Sequence, residues 1–320
     1  MEKNENTGTR NEFVLKRHPA NPIIVPKDFP GGRADAVFNA GQTMFNGKTI
    51  LLLSVRKAYE KPCSVHVAES SDGAHFRINP KPFITMSDKD PIKSCDQGGV
   101  LDTRVTRIDD TYYIIRPGGT AMGVAGILGK TKDFVHYEDV EVISLPDNRV
   151  PCLFPEKIGG CYVRLDRPCN RDPKVDTGWI WISYSPDLIH WGRHRPLLKP
   201  FTFWNYRKIG PTPPIRTEKG WLEIYHGVYE SCSGSIYSIG AMLLDLNDPS
   251  IIIGKTNGYI LTPDAPYEFQ GRVPNVVFPC GAIADYDKRQ LRLYYGCADT
   301  CIGLATGSLD ELLEACLKGQ

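Results

Sequence analysis

A surplus of charge of either sign, long apolar runs and paired-cysteine motifs are all missing from this chain. Its 38 Lys and Arg against 37 Asp and Glu leave a net charge of +1. No global field therefore points to nucleic acid or to an anionic membrane. No apolar run approaches the ~20 residues of a membrane span, so no membrane partner is expected. The start, Met1-Glu2-Lys3-Asn4-Glu5-Asn6, is polar and lacks the apolar core of a signal peptide, so the expected location is cytoplasmic. Ten cysteines are present, but no Cys-x-x-Cys; Cys297 and Cys301 are four apart. With Cys152, Cys161, Cys280 and Cys297 in apolar or strand-like surroundings, the expected role is that of small buried hydrophobes rather than a metal site. Long helices are excluded by 25 prolines and 30 glycines spread evenly.

What is present is short β-rich runs between Gly/Pro/Asp/Asn turns, such as Thr49-Ile50-Leu51-Leu52-Leu53, Tyr112-Tyr113-Ile114-Ile115, Trp221-Leu222-Glu223-Ile224-Tyr225 and Leu291-Arg292-Leu293-Tyr294-Tyr295. Three turns repeat one pattern, Ser/Thr-x-Asp-x-x-His-aromatic: Ser70 to Phe76, Thr131 to Tyr137 and Ser185 to Trp191. Each follows a strand-like run, and their aspartates lie 61 and 54 residues apart. Units of ~55–60 residues over ~300 residues predict an all-β fold, a five-bladed β-propeller. A fourth unit is expected around Ile236 to Leu246, closed by Asp245-Leu246-Asn247-Asp248-Pro249, and a fifth around Leu291 to Thr306. The expected organisation is a polar tail over 1–11, one propeller domain over 12–307 and a short C-terminal helix over 308–320. Ser308 is its N-cap, Glu311 completes a capping box and Gly319 ends it. Tail and helix are the candidate contact elements of a homo-oligomer.

The repeat sorts the seven histidines, His18, His66, His75, His136, His190, His194 and His226. His75, His136 and His190 recur at one turn, and an active site is not built three times around a ring. They are expected to bond the turn backbone, with the aromatic packed beneath. His226 differs, lying in Tyr225-His226-Gly227-Val228 directly after a strand-like run. Two aspartates also stand apart: Asp102 in Gly98-Gly99-Val100-Leu101-Asp102-Thr103-Arg104-Val105, and Asp299 in Tyr295-Gly296-Cys297-Ala298-Asp299-Thr300. Arg149, Arg167 and Lys208 lie in segments flanked by Pro, Gly or Asn. Each of these residues alone is equally well read as a turn carboxylate or a solvated cation.

Taken in order, longer blocks are more specific. Asn21-Pro22-Ile23-Ile24, Val37-Phe38-Asn39, Asp102-Thr103-Arg104-Val105, Leu153-Phe154-Pro155, Trp191-Gly192-Arg193-His194-Arg195, Lys208-Ile209-Gly210, Trp221 to Val228, Val273-Pro274-Asn275-Val276, Phe278-Pro279-Cys280 and Tyr294 to Thr300 together resemble glycoside hydrolase family 130, the mannoside phosphorylases and related mannosidases. The resemblance runs from about Asn21 to Leu309 and implies a five-bladed propeller. It implies that Asp102 is the general acid, acting directly or through a sugar hydroxyl. It implies phosphate binding by Arg149, Arg167, Lys208 and His226, and sugar contacts from Asn39, Arg56, Tyr237 and Asp299. Three positions depart from the family pattern: Thr103 replaces a Pro, Ala40 a Ser and Val150 an Asn.

An inverting hydrolase needs a second carboxylate to activate water, whereas phosphorolysis needs an anion site to capture and aim phosphate. With the cationic set intact, the expected activity is inverting phosphorolysis of a β-mannoside (mannobiose, manno-oligosaccharide or mannosyl-N-acetylglucosamine) to α-mannose 1-phosphate. Phosphate is then co-substrate, and no cofactor or metal is expected. The alternatives are an inverting β-mannosidase and a non-catalytic carbohydrate-binding propeller with platforms such as Trp204 and Tyr206. A propeller that binds other proteins would have no anion site.

Overall fold

The repeated turn is built by its aspartate. In the computed structural model, which describes residues 14–57, 62–170, 177–200 and 202–319, Asp72 Oδ1 accepts from the backbone N–H groups of Ala74 and His75, both at 2.9 Å. Its Oδ2 meets His75 Nδ1 at 2.8 Å. Asp133 and Asp187 repeat this arrangement with His136 and His190. The sequence reading gave the backbone bonds to the histidine. The aspartate makes them instead, because one carboxylate oxygen reaches two successive N–H groups in an Asx turn. The histidines are exposed partners of that carboxylate. Bonds from the backbone N–H groups, that of the histidine foremost, hold all three carboxyls well below the usual range. The aromatics pack inward as expected: Phe76 lies edge-on to Tyr294 at 5.6 Å, Tyr137 edge-on to Phe83 at 5.8 Å, and Trp191 lies 4.2 Å beneath the Arg164 guanidinium. Asp245 makes the same turn without a histidine, accepting from the N–H groups of Asn247 at 2.8 Å and Asp248 at 2.9 Å.

Among the described residues the strands form five sheets. The first holds Ala34–Phe45, Lys48–Lys57, Ser64–Ser70 and Arg77–Ile78, and the second Arg104–Ile108, Thr111–Thr120, Gly123–Thr131 and Glu138–Val142. The third holds Cys152–Leu153, Tyr162–Asp166, Ile180–Ser185 and Gly192–Leu198. The fourth centres on Gly220–Ser231 and Gly234–Leu244, and the fifth on Gln290–Cys297 and Cys301–Ser308. The chain is thus all-β and propeller-like, but the sheets are not five equal blades: three have four strands, the fourth seven and the fifth five. The fourth is enlarged because the hairpin Cys169–Asn170 and Thr177–Gly178, which branches from the third unit, pairs with Lys208–Gly210. The fifth is completed by the start of the chain, Lys16 and Arg17 pairing with Thr306 and Ala305. The expected tail over 1–11 lies outside the described residues.

Inward-facing aliphatic residues of adjacent sheets fill the core. The largest cluster joins Leu222, Ile224, Ile239 and Leu243 of the fourth sheet to Leu291, Leu293 and Tyr295 of the fifth. The helix Leu309–Lys318 lays Leu309, Leu312, Leu313 and Cys316 on this cluster, the i, i+3, i+4, i+7 stripe expected of an amphipathic helix. Ser308 caps it, its Oγ accepting from Glu311 N–H at 3.3 Å. Cys152, Cys280 and Cys297 are buried as expected, but Cys161 is only half-buried.

Candidate active site

Three polar residues of the site sit on left-handed backbone. Asn39 interrupts Ala34–Phe45 at φ 44°, where the register against Lys48–Lys57 shifts between Phe38 and Gly41. This bulge turns Asn39 out of the strand's alternation. Asp102, at φ 53°, precedes Arg104–Ile108. Asp299, at φ 48°, is in the turn joining the last two strands, where Ala298 also has positive φ and Thr300 N–H bonds to the Cys297 carbonyl at 2.9 Å. Asn and Asp tolerate this conformation better than other side chains, and backbone held there is characteristic of functional sites.

These bends bring the three together. Asn39 Nδ2 donates to Asp102 Oδ1 at 2.9 Å and to Asp299 Oδ1 at 3.1 Å. Gly296 leaves the space, since a Cβ there would overlap Asn39 Oδ1. Ser54 locks the backbone, donating to the Asn39 carbonyl at 3.1 Å and accepting from Asp102 N–H at 3.0 Å. Burial raises the Asp102 carboxyl above its ordinary range, against the opposing pull of Arg104, Asn39, Arg149 and Arg167. Asp299 is pushed up to about 6 by burial and by the Asp102 charge.

The cations come from three further segments. Arg149 N–H bonds to the Arg167 carbonyl at 3.0 Å, while Asn148 Oδ1 accepts from Arg167 N–H at 2.9 Å and its Nδ2 donates to Asp166 at 2.9 Å. Two loops are thus zipped so that both arginines face one space. Lys208 opens the strand Lys208–Gly210, with its Nζ 6.0 Å from the centroid of the Tyr237 ring.

One cavity of about 840 Å³ is lined by Asn39, Asp102, Arg149, Arg167, Lys208, Tyr237 and Asp299, seven of the nine residues singled out in the sequence. His226 and Arg56 are not on its wall. His226 is fully buried behind Arg167, whose Nη1 donates to His226 Nε2 at 2.7 Å. The ring packs against Phe278 at 4.6 Å and Tyr237 at 5.9 Å, and its Nδ1 has no hydrogen-bond partner. A Cβ at Gly210, paired opposite His226, would strike both the ring and Arg167 Nη1. Burial, then the charges of Arg167, Arg104 and Lys208, hold His226 well below its ordinary 6.5, so it is neutral. Arg167 lies between the cavity and His226, which stands behind it as an acceptor.

Sequence reasoning missed Asp147, Gln97, Arg207 and Phe278 on the cavity wall, and Arg104 behind it. Asp147 Oδ1 accepts from Val124 N–H at 2.9 Å and lies 3.6 Å from Arg149 Nε. Val150, at φ 52° and 4% exposed, lines the cavity with Val276 and Phe278 and packs with them and Cys280. Trp204 is not a sugar platform: it is 1% exposed and stacked on Tyr225 at 5.6 Å. Tyr206 is half exposed, its hydroxyl bonded to the Glu230 carbonyl at 2.9 Å, and it is not on the cavity wall.

This geometry sits within a match that spans the chain. The family model described as beta-1,4-mannooligosaccharide phosphorylase covers residues 15–318. The chain belongs to glycoside hydrolase family 130. Family 130 relatives include the beta-1,4-mannooligosaccharide phosphorylase of Ruminococcus albus, 34% identical over 94% of this chain and 90% of the relative. The beta-1,2-mannobiose phosphorylase of Listeria innocua is also 34% identical, over 93% of this chain and 97% of the relative. The solved structure of a Listeria innocua beta-1,2-mannobiose phosphorylase with beta-1,2-mannobiose bound aligns with a TM-score of 0.84 at 32% identity, covering 94% of this chain and 99% of that one.

Proposed function

We propose that this family 130 chain is an inverting phosphorylase of β-mannosides that releases α-mannose 1-phosphate. The observation that carries this reading is a single cavity that sets the Asp102 carboxyl among Arg149, Arg167 and Lys208. Asp102 protonates the leaving glycosidic oxygen as its bond to C1 breaks, directly or through a sugar hydroxyl. A phosphate oxygen attacks C1 from the opposite face, gripped by the two guanidiniums and the ammonium. Burial that favours the protonated carboxyl suits an acid operating near neutral pH. Asp299 is unsuited to serve as a base on the far face, because it shares the Asn39 amide nitrogen with Asp102 and so stands beside it. Asn39, Tyr237 and Asp299 are read as sugar contacts. We also read the five sheets as five blades of a ring that the N-terminal strand closes, with 12–307 as the catalytic domain and the helix packed on its rim. The relatives named above include phosphorylases of β-1,4- and β-1,2-linked mannosides, and both linkages belong in the assay.

A second reading has one observation in its favour. Asp147 is a carboxylate on the same wall as Arg149 and could serve as the base of an inverting mannosidase. Incubation with β-1,4- and β-1,2-mannobiose, with and without phosphate, separates the two. The phosphorylase reading requires α-mannose 1-phosphate to form, and sugar release to stop without phosphate. Release that ignores phosphate and disappears in Asp147→Asn establishes the hydrolase instead. Asp102→Asn should cut turnover by ~10²–10⁴-fold while the fold survives; unchanged turnover would remove Asp102 from the chemistry.

A further inference from the structure

Arg104 is 1% exposed at the start of the strand Arg104–Ile108, two residues after Asp102. Its Nη1 donates to the Asp102 carbonyl at 2.6 Å and to Cys280 Sγ at 3.0 Å. Its guanidinium lies 5.4 Å from the centroid of Phe278, a cavity-wall ring. Nε and Nη2 are buried without a hydrogen-bond partner, and among the described residues no carboxylate pairs with this cation. A guanidinium buried without a carboxylate is costly; among the described residues Arg167 shares this state, but it lies on the cavity wall and bonds His226, whereas the other deeply buried guanidiniums are paired. Arg116 is paired with Asp96 at 2.7 Å, and Arg164 with Asp166 at 2.8 Å. Arg104, off the cavity wall, is bonded to the backbone carbonyl of the residue read above as the acid.

We infer that Arg104 is a positioning residue for Asp102, clamping its carbonyl in the left-handed turn and holding an uncompensated positive charge behind its carboxyl that sets the pH at which the proton is lost. The inference rests on the reading of Asp102 as general acid. The groups facing the Asp102 carboxyl are Asn39, Asp299, Arg149, Arg167, Arg104 and the thiols of Cys63 and Cys280; those facing Arg104 are Asp102, Cys280, Cys152, the Phe278 ring and the neutral His226. Burial favours the protonated carboxyl, and of the groups opposing it Arg104 is the strongest. Without Arg104 the carboxyl keeps its proton to higher pH. An enzyme that needs a protonated acid loses rate above the acid's pKa, so the alkaline limb of its profile reports this change.

The test is the pH profile of kcat/KM for mannobiose phosphorolysis, at one fixed phosphate concentration, in wild type, Arg104→Met, Arg104→Lys and Asp102→Asn. Arg104→Met is expected to move the alkaline limb up by about one pH unit or more and to lower kcat. Arg104→Lys keeps the charge but loses the planar fork, so its limb stays in place while kcat falls several-fold. A residue with only a packing role would lower rates evenly at every pH, and an unmoved limb in Arg104→Met overturns the inference. If thermal melts show that Arg104→Met is unfolded, Arg104→Lys decides: a displaced limb refutes the role of charge, and wild-type kcat refutes the clamp. Asp102→Asn keeps the two failures apart. If it retains wild-type turnover, the acid assignment has failed; if it is inactive while the limb of Arg104→Met is unmoved, only the role of Arg104 has failed.

Discussion

Replacing His226 tests whether it touches phosphate or only aims Arg167. Its Nε2 accepts from Arg167 Nη1 at 2.7 Å, and both residues are at most 5% exposed. A buried hydrogen bond to a charged group contributes about 1.5–3 kcal/mol. His226→Leu removes the acceptor and leaves a guanidinium N–H unpaired, so the KM for phosphate should rise by ~10–100-fold with little change in mannoside KM. His226→Gln can present its side-chain carbonyl to Arg167 and should recover most of the loss. The two variants also differ from wild type in acid. A histidine held neutral in the fold but free to protonate near 6.5 when unfolded has no effect on stability above that pH. Below it the unfolded state gains protons that the folded state refuses, and stability falls by about 1.4 kcal/mol per pH unit. Urea melts at pH 7.5, 6.0 and 5.0 should therefore show a shallower acid loss in His226→Gln than in wild type. His66, also buried and lowered, contributes equally to both and cancels in the difference. Equal acid slopes would mean that His226 is protonated in the fold. An unchanged phosphate KM in His226→Leu would mean that Arg167 needs no such support.

Lys208→Ala should raise the KM for phosphate by about tenfold or more, the loss of one charge-assisted contact, while any slow phosphate-free hydrolysis stays the same; an equal loss of both would make Lys208 structural. Asp299, pushed up to about 6, is destabilising wherever it is ionised in the fold, so Asp299→Asn should raise the urea midpoint at pH 8 and leave it unchanged near pH 3, where the carboxyl is protonated in both states. A midpoint that shifts equally at both pH values would contradict a raised carboxyl. Trp204→Ala opens a cavity between Tyr225 and its neighbours and should cost about 3–5 kcal/mol in a urea melt, whereas Tyr206→Ala should cost less than about 1 kcal/mol. A tenfold rise in mannoside KM for Tyr206→Ala would restore the sugar-platform role that the structure assigns to neither residue.

The fold was legible where local chemistry repeats. The Asp turn recurs at Asp72, Asp133 and Asp187 because one carboxylate satisfies two N–H groups whatever lies around it. Even Asp245, which has no histidine, was found as a turn. The roles within the turn were not legible, since spacing shows that Asp and His lie together but not which of them binds the backbone. The inequality of the sheets was hidden for another reason. Lys16–Arg17 and Cys169–Asn170 are two-residue strands, too short to carry any periodicity, and their partners are distant in sequence.

The site divides in the same way. Asp102, Arg149, Arg167 and Lys208 came from a resemblance, and the chain's own topology brings them to one wall. Their support was not readable, because it depends on departures from regular strand geometry. Along an ideal strand Asp102 and Arg104 would share a face, and an Asp-x-Arg pair reads as a surface ion pair. The left-handed turn at Asp102 breaks that alternation. The carboxyl goes to the cavity and the Asn39 amide, while the guanidinium goes into the interior and grips the carbonyl instead of the carboxylate. His226 is the converse case. The sequence places it directly after a strand-like run, yet the strand Gly220–Ser231 continues through it, and the pairing with Gly210 buries the ring. Both residues lie behind the cavity wall, at positions set by backbone turns and strand register that residue type does not show.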